Sequence, residues 1–381
     1  MSASFIYCDH NATTPVHSQV KEAFIDAVSM YGNASSLYSL GRQAKEAIEL
    51  SRQHIVDFIH CQPDQLIFTG SGTESNNQVL KYFSDLRQYS KEPVHILISA
   101  IEHSSVNVTM EYLRSYGVEY DVIPVDQDGC INLAQYQTLF KSYTKLVSVV
   151  FGNNEIGTIQ DIKKLTEIAH EKGAMFHTDA VQVLGKHDFN VTDLDVDFMS
   201  FSSHKICAPK GVGALYVKDE SKMLPLLHGG FHERGLRAST ENVPGIIAFG
   251  VAVTHLDVAR YALHTRSLIN YLKNELLQMT GTIINGVNSE LSLSNTLNIT
   301  FQGCSGYALA MNCDLEGIAL STGSACSVGS IEPSHVLTAL GVAVEDNKSS
   351  IRISLGLTNT MDEMVRLVSV VKMIVDRLRS C

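Results

Sequence analysis

A chain of 381 residues, 45% of them hydrophobic, suffices for a large core and suggests two domains, or one domain with a substantial addition. Its formal net charge of −11, with 29 thinly spread lysines and arginines, argues against direct binding of nucleic acid. No segment approaches the roughly 18 uncharged apolar residues of a membrane span, and the N-terminus lacks signal-peptide features, so we expect no membrane association and a cytoplasmic location.

The N-terminal third begins with an extended arm and then alternates strands with helices. Residues 1–14 form the predicted arm, and helical spacing begins after Pro15, with an interruption at 31–41. The expected buried strands lie at 65–69, 95–100, 145–151, 174–178 and 196–202, and a further strand is expected within 210–217. This alternation predicts an α/β fold with a mainly parallel sheet that is covered on both faces.

A glycine-containing turn at 70–75 joins the first of these strands to a helix. Unpaired N–H groups at a helix N-terminus suit a phosphate, which makes Thr73 the predicted principal ligand, together with the amides of Gly72 and Thr73. Such turns are also common as helix caps that bind nothing, so the motif alone leaves both interpretations open.

His103 follows the strand predicted at 95–100. A histidine in this place could stack on a flat cofactor ring and transfer protons near neutral pH. It could equally be a structural hydrogen-bonding residue in a turn that opens a helix.

Asp179 and Lys205 fall just beyond the ends of two predicted strands, at the edge where open α/β sheets bind ligands. A lysine that forms a Schiff base and a carboxylate that keeps a ring nitrogen protonated are the pair that pyridoxal phosphate (PLP) requires. Gln182, three residues after Asp179, could donate a hydrogen bond to the phenolic oxygen of the ring. Taken singly, a surface lysine and a strand-end carboxylate would explain both residues without a cofactor.

A polar loop at 228–242 is predicted to be either disordered or assembled against another surface. A helix to about residue 279 should then connect two domains, large at 15–256 and small at 257–381. The small domain is predicted to be α+β, with strands at 296–301, 317–321 and 350–354 and helices at 306–313, 332–340 and 361–379.

Two residues of the C-terminal part carry chemistry. Arg352 alternates with apolar neighbours on a predicted strand, and an inward-pointing arginine needs either a substrate carboxylate or a carboxylate of the chain itself. Cys326 stands in a run of small residues, 321–330, that predicts a mobile loop, as a thiol with two reaction partners would need. The chain's eight cysteines include no CxxC pair, so no metal site is expected and most should be small buried hydrophobes in a reducing compartment.

The chain resembles the cysteine desulfurases, which are fold-type I PLP enzymes of the class-V aminotransferase group, over almost its whole length. The blocks that carry the resemblance occur in the order of the family: DHNATTP at 9–15, FTGSGTESNN at 68–77, EHSSV at 102–106, NNEIGTIQ at 153–160, HTDAVQ at 177–182, SFSSHK at 200–205, PKGVGALYV at 209–217, HERGLRASTENV at 232–243, STGSACSVGSIEPSHVL at 321–337 and SSIRISLG at 349–356.

The resemblance implies a large domain with a seven-stranded sheet, a smaller α+β domain, and an arm at 1–14 that belongs to the latter. It implies that the catalytic residues are Lys205, His103 and Cys326. The implied cofactor contacts are Lys205, Asp179, Gln182, Gly72, Thr73, Asn154, Ser202 and His204. Arg352 and Asn154 are the implied substrate contacts, and Thr240 is implied to reach the cofactor phosphate of a neighbouring subunit, so that a homodimer would be needed for complete sites.

The chain departs from the usual pattern of the family in several loops. At 70–72 it has Gly-Ser-Gly in place of Ser-Gly-Ala, which bears on the register of the backbone donors, and the changes at 34 and 38 affect loop geometry more than chemistry. Ala34 and Tyr38 replace a proline and a histidine, Cys207 and Ala208 replace a tyrosine and a glycine, and Phe231 replaces a third glycine.

The implied reaction converts L-cysteine to L-alanine, with a persulfide formed on Cys326 and passed to an acceptor protein. Iron–sulfur assembly, tRNA thiolation, cofactor sulfuration and DNA phosphorothioate modification are the possible destinations. The long loop around Cys326 and the end of the chain soon after its last helix favour a dedicated acceptor over the general iron–sulfur scaffold. The alternatives are a selenocysteine lyase, another PLP-dependent lyase or transaminase that would not need Cys326, and a non-enzymatic protein that retains PLP.

Overall fold

The computed structural model describes residues 5–287, 291–322 and 332–380, so that Cys326 and the loop predicted around it lie outside the described residues. The α-helices of these ranges are α1 (Ser18–Val28), α2 (Ser39–Ile59), α3 (Gly72–Ser90), α4 (Ser104–Arg114), α5 (Leu133–Thr138), α6 (Ile162–Glu171), α7 (Val191–Leu194), α8 (Val243–Thr254), α9 (Val258–Leu276), α10 (Gly306–Leu315), α11 (His335–Ala339), α12 (Val344–Lys348) and α13 (Met361–Arg379). The strands are β1 (Ile6–Tyr7), β2 (Leu66–Thr69), β3 (His95–Ser99), β4 (Glu119–Ile123), β5 (Thr144–Val150), β6 (Met175–Asp179), β7 (Phe198–Ser202), β8 (Gly213–Val217), β9 (Thr282–Asn285), β10 (Thr296–Phe301), β11 (Ile318–Ala319), β12 (Ser321–Thr322) and β13 (Ser350–Ser354).

A seven-stranded sheet of order β2-β8-β7-β6-β5-β3-β4 forms the centre of the larger part of the chain. The strands from β7 to β4 run parallel, whereas β8 is antiparallel to both β2 and β7. Successive residues of a strand face opposite sides, so Leu66 and Phe68 join one hydrophobic cluster and Ile67 joins another. The sheet is therefore covered on both faces, and the predicted α/β fold is confirmed.

Local sequence explains where the helices that cover this sheet begin. Ser71 accepts a hydrogen bond from the Glu74 amide at the start of α3, and Asp161 accepts one from the Lys164 amide at the start of α6. The apolar residues Ile162, Leu165, Ile168 and Ala169 of α6 are buried, as expected for an amphipathic helix on a sheet.

A four-stranded antiparallel sheet of order β12-β13-β10-β9 lies in the C-terminal part, with α9, α10 and α13 packed around its core. The N-terminal arm joins this part, because Ile6 pairs in parallel with Ile318 and its side chain is buried in the same hydrophobic cluster.

Several predicted boundaries were wrong. The single strand expected at 317–321 is split into β11 and β12, which belong to different sheets. The helix expected at 332–340 begins only at His335, because Ser334 caps it through the Leu337 amide. The sequence pattern also missed β4, a half-exposed edge strand, and the short strand β9.

The departures from the family pattern produce local features. Cys207 adopts a left-handed φ of 63°, which costs free energy for a residue with a Cβ atom. Tyr38 precedes α2 with 59% of its surface exposed, and Phe231 is 87% exposed.

Among the helices that the structure describes, no single one is long and apolar enough to cross a membrane; α8 and α9 meet those two criteria only as a pair bent by 77°.

Candidate active site

A cavity of about 330 Å³ opens at the carboxyl edge of the large sheet, beyond the ends of β3, β5, β6 and β7. The arm and β13 close its other side through Asn11, Ala12 and Arg352. The predicted site residues that line this cavity are Gly72, Thr73, His103, Asn154, Asp179, Gln182, Ser202, His204, Lys205 and Arg352. Thr240 does not line it and is exposed on the surface, and Cys326 is outside the described residues.

Lys205 ends a short 3-10 turn, Ser203–Lys205, that follows β7 directly. Its Nζ donates hydrogen bonds to the backbone oxygens of Asn11, at 2.5 Å, and Ala12, at 2.9 Å. Thr14 fixes the same turn by donating to the His204 carbonyl at 2.8 Å. The arm thus holds the lysine amine at the wall of the cavity.

Asp179 is the last residue of β6 and is 4% exposed. Its Oδ2 accepts from Asn76 Nδ2 at 2.7 Å, and its Oδ1 accepts from the Val181 amide at 3.0 Å. Each oxygen thus accepts one hydrogen bond from the chain and keeps a further acceptor position for a ring N–H donor in the cavity.

Gln182 lies one turn beyond Asp179, with its amide held at both ends. Its Nε2 donates to the Asn11 carbonyl at 2.8 Å, and its Oε1 accepts from Lys186 Nζ at 2.8 Å. Because a carbonyl oxygen only accepts, Nε2 must face Asn11 and Oε1 must face Lys186, and the second N–H of Nε2 is left for a ligand of the cavity.

The start of α3 is built for close approach by an anion. A Cβ atom on Gly72 would come within 2.5 Å of Val181 Cγ2, so a larger residue there would force the Val181 side chain to shift. The amides of Gly72 and Thr73 occupy the first two positions of α3, and neither donates to a described residue. Such groups, at the positive end of the helix dipole, are suited to bind phosphate.

His103 caps α4 and has a defined tautomer. The Ser105 amide donates to His103 Nδ1 at 3.1 Å, and Ser105 Oγ lies 2.8 Å from the same nitrogen. Since Nδ1 is an acceptor, the proton of the neutral ring is on Nε2. Burial lowers the pKa of His103, an effect that the Asp179 carboxylate opposes and the Lys205 cation reinforces, so the ring is neutral at pH 7.

Arg352 is 3% exposed and pairs with a carboxylate of the chain itself. Its Nη2 donates to Asp9 Oδ1 at 2.7 Å and its Nη1 to the Asn154 backbone oxygen at 3.1 Å. The ion pair that the sequence left open as an alternative therefore exists in this structure. Arg352 Nε is buried and has no hydrogen-bond partner among the described residues, so the guanidinium retains a donor for a further anion.

The sequence pattern did not single out three residues that organise the site. Asn11 provides the carbonyl that accepts from both Lys205 and Gln182, and Asn76 contacts Asp179 and Ser105. Lys186 is 4% exposed beneath Gln182. Their spacing gave a partial signal, because Asn76 follows Gly72 and Lys186 follows Gln182 by four residues, which is one helical turn.

These residues fit PLP as a set. The cavity offers an amine for a Schiff base, a carboxyl group for a ring nitrogen, an amide N–H for a phenolic oxygen and free helix N–H groups for a phosphate. In its wall, the buried Arg352 Nε is an unsatisfied donor that suits a carboxylate.

Comparisons with known proteins agree with this chemistry. The sequence matches the family described as Aminotransferase class-V over residues 6–367. It is 41% identical, over 98% of this chain and 93% of the relative, to a protein of Methanosarcina thermophila named cysteine desulfurase IscS. Its fold is similar to that of a solved NifS-like protein, with a TM-score of 0.91 and 35% identity over 98% of this chain and 99% of that one. It is also similar to SspA, solved in complex with cysteine, with a TM-score of 0.82 and 32% identity over 93% of this chain and 100% of that one.

Proposed function

The chain belongs to the class-V aminotransferases and, among them, to the PLP-dependent cysteine desulfurases, and from this premise we propose how its residues divide the conversion of L-cysteine to L-alanine. The observation that carries the proposal is the single cavity that holds Lys205, Asp179 and His103 beside the free helix start of α3. A selenocysteine lyase, or another PLP-dependent lyase or transaminase, is not favoured, because the relatives are named cysteine desulfurases.

When bound, PLP supplies an electron sink for cleavage of bonds at the substrate Cα and Cβ atoms. Lys205 is proposed to hold it covalently, Asp179 to pair with its ring nitrogen and Gln182 to donate to its phenolic oxygen. The remaining proposed cofactor contacts are Gly72, Thr73, Asn154, Ser202 and His204. Burial lowers the pKa of His204 to about 4, so this residue would act as a neutral ring.

Arg352 is proposed to bind the substrate carboxylate with Asn154 beside it. The guanidinium already faces the cavity, its Nε is free of described partners, and Asp9 can be exchanged for an incoming carboxylate. A bidentate arrangement on one planar group would orient the substrate, since both carboxylate oxygens are then fixed.

Proton transfer is proposed to use two residues. Lys205 Nζ, acting as a free amine, would take the proton from the substrate Cα. His103, neutral with its proton on Nε2, would mediate protonation near the substrate sulfur.

Cys326 is proposed to take the sulfur atom. Its thiolate attacks the substrate sulfur, so that a new S–S bond forms and the substrate Cβ–S bond breaks. The electron pair of the broken bond goes to the Cβ side, where protonation gives the methyl group of alanine. The persulfide on Cys326 would then pass to an acceptor protein in iron–sulfur assembly, tRNA thiolation or DNA phosphorothioate modification.

The proposed assembly is a homodimer in which Thr240 completes the neighbouring site. Thr240 is exposed and lies away from the cavity of its own chain. Large apolar side chains that a second copy could cover are also exposed: Tyr31 by 82%, Leu37 by 91% and Phe231 by 87%.

A large domain at 15–256 and a small domain at 257–381 are also proposed. Separate hydrophobic clusters in the two parts support the division, and so does the break between α8 and α9.

The proposed cytoplasmic location is supported by cysteines that are free throughout the described ranges.

The test of this proposal compares Lys205→Ala with Lys210→Ala, an exposed lysine on the following turn. The first variant should lose both covalently held PLP and alanine release from L-cysteine, and the second should keep both. Equal alanine release from the two variants would refute the assignment of Lys205. Release that is faster from L-selenocysteine than from L-cysteine would instead support the lyase alternative.

A further inference from the structure

Asn76 connects two parts of the site that otherwise have separate tasks. It lies one turn into α3, is 1% exposed and borders the cavity. Its Nδ2 donates to Asp179 Oδ2 at 2.7 Å and to Ser105 Oγ at 2.9 Å. Both N–H groups of the amide are therefore committed, one toward the carboxylate and one toward the residue that contacts His103.

The orientation of this amide is determined by its surroundings. If the amide were turned over, its Oδ1 would face a carboxylate oxygen at hydrogen-bond distance, and two acceptors would repel each other. In the observed orientation Asn76 Oδ1 is buried and has no hydrogen-bond partner among the described residues. A buried acceptor of this kind destabilises the folded protein. The placement of two donors is thus retained at a cost to stability.

The donor to Ser105 determines the proton position on His103. Since Ser105 Oγ accepts from Asn76, its own proton is available to His103 Nδ1, 2.8 Å away. The Ser105 amide donates to the same nitrogen at 3.1 Å. Both donors oppose a proton on Nδ1, and so the proton of the ring stays on Nε2.

We propose that Asn76 is a positioning residue for the reaction, which holds Asp179 as an acceptor and, through Ser105, keeps the proton of His103 on Nε2. A single amide thereby fixes the group assigned to the cofactor ring and the group assigned to the substrate sulfur. The inference rests on the proposed roles of Asp179 and His103.

The test uses PLP-loaded protein labelled with ¹⁵N-histidine, with the His103 signals identified by their loss in His103→Gln. Without the amide, Ser105 Oγ is free to accept from Nδ1, so Asn76→Ala should raise the apparent pKa of His103 and move its nitrogen shifts toward a mixture of tautomers. Asn76→Asp should raise that pKa further, because a carboxylate takes the Ser105 proton. Asp179, Lys205 and His335, the charged or titratable groups that act on His103, are unchanged in these variants.

Two further variants separate the effect of Asn76 on His103 from its effect on Asp179. Ser105→Ala should alter the His103 signals and leave PLP retention unchanged, whereas Asn76→Ala should alter both, with the dissociation constant of PLP rising about three- to tenfold. Asn77→Ala is the matched control, because Asn77 is on the same turn of α3 and bonds only to the Thr73 carbonyl among the described residues.

The proposal would be overturned if Asn76→Ala had the same His103 nitrogen shifts and the same PLP retention as Asn77→Ala. If Asn76→Ala does not fold, Ser105→Ala decides the His103 branch, and unchanged His103 signals in that variant would overturn it. A failure of the proposed function can be told apart from a failure of this proposal. If Asp179 does not pair with the cofactor ring, Asp179→Asn would leave the absorption spectrum of bound PLP unchanged.

Discussion

Lys186 is a buried cation whose hydrogen bonds, within the described residues, go to uncharged amide oxygens. Its Nζ donates to Gln182 Oε1 at 2.8 Å and to Asn11 Oδ1 at 3.4 Å. Burial, aided by the nearby positive charge of Lys205, lowers the pKa of Lys186 to about 7 from its usual 10.5. Near neutral pH, burial in the folded protein therefore disfavours the charged form of Lys186.

Lys186→Met should change how stability depends on pH. Between about pH 7 and the unfolded pKa of 10.5, the folded protein holds fewer protons at Lys186 than the unfolded chain, so the free energy of unfolding rises with pH. From about pH 7 to pH 9 the free energy of unfolding of the wild-type protein should rise by about 2 kcal/mol relative to that of the variant. Denaturant unfolding at the two pH values measures this, with the exposed Lys210→Met as control. A constant difference across that range would contradict the assignment.

Glu102 makes the stability of the protein depend on pH in the opposite direction. Its side chain is fully buried, Oε2 has no hydrogen-bond partner in the described part of the chain, and burial raises the pKa of Glu102 to about 8 from 4.5. The folded protein then holds the extra proton between those values, so its stability should fall as pH rises from about 4.5 through 8.

Glu102→Gln mimics the protonated acid and should remove this slope. Between about pH 6 and pH 8, the free energy of unfolding of the variant should rise by about 2 kcal/mol relative to that of the wild-type protein. Thermal or denaturant unfolding across that range is the measurement, and Glu92→Gln, at an exposed position, is the control. Parallel pH profiles for the wild type and Glu102→Gln would show that Glu102 is ionised in the fold.

At the scale of elements, the loop that carries Thr240 is attached to α2 by a buried ion pair and to β2 by a hydrogen bond. Glu233 accepts from Arg52 Nη2 at 2.8 Å and Nη1 at 2.9 Å, and also from the Phe68 amide at 2.8 Å. The side chains of Arg52 and Glu233 are 3% and 4% exposed. The start of the loop is therefore fixed to the strand that leads into the turn proposed to bind phosphate.

Arg52→Met should destabilise the protein by about 3–5 kcal/mol, because it leaves the Glu233 carboxylate buried without its cation. The double variant Arg52→Met, Glu233→Leu should recover most of the loss, since it removes both charges. Arg42→Met, at an exposed position on α2, is the control for urea unfolding. A double variant no more stable than Arg52→Met alone would contradict this account.

The elements were predictable where burial left a simple pattern. The apolar runs of β5, β6 and β7 marked these strands to within two residues, and β13 and α13 had the predicted bounds. The edge strand β4 was missed because charged residues interrupt its pattern. Lys205 and Asp179 could be identified because strand ends meet at one edge of the sheet. The ion pair between Arg352 and Asp9 could not, since 343 positions separate its partners and only the folded arm brings them together.

At the scale of the whole molecule, the proposed homodimer predicts complementation between subunits. Subunits with Lys205→Ala and subunits with Thr240→Val would each form homodimers with two incomplete sites. A mixed dimer would contain one site with an intact Lys205 from one chain and an intact Thr240 from the other.

Unfolding and refolding the two variants together should therefore give more alanine release than either variant treated alone. The measurement needs differently tagged subunits so that mixed dimers can be isolated. Mixed dimers with no more activity than the Thr240→Val homodimer would contradict a contribution of Thr240 to the neighbouring site.

The most direct test of the central claim is alanine release from L-cysteine by the PLP-loaded protein, measured together with the intact mass of the protein. Cys326→Ala is compared with Cys130→Ala, a control at a part-buried thiol whose pKa burial raises to about 11. The wild type and Cys130→Ala should release alanine and gain the mass of a sulfur atom, and Cys326→Ala should do neither. Undiminished alanine release by Cys326→Ala, or none from the wild type, would contradict the persulfide relay.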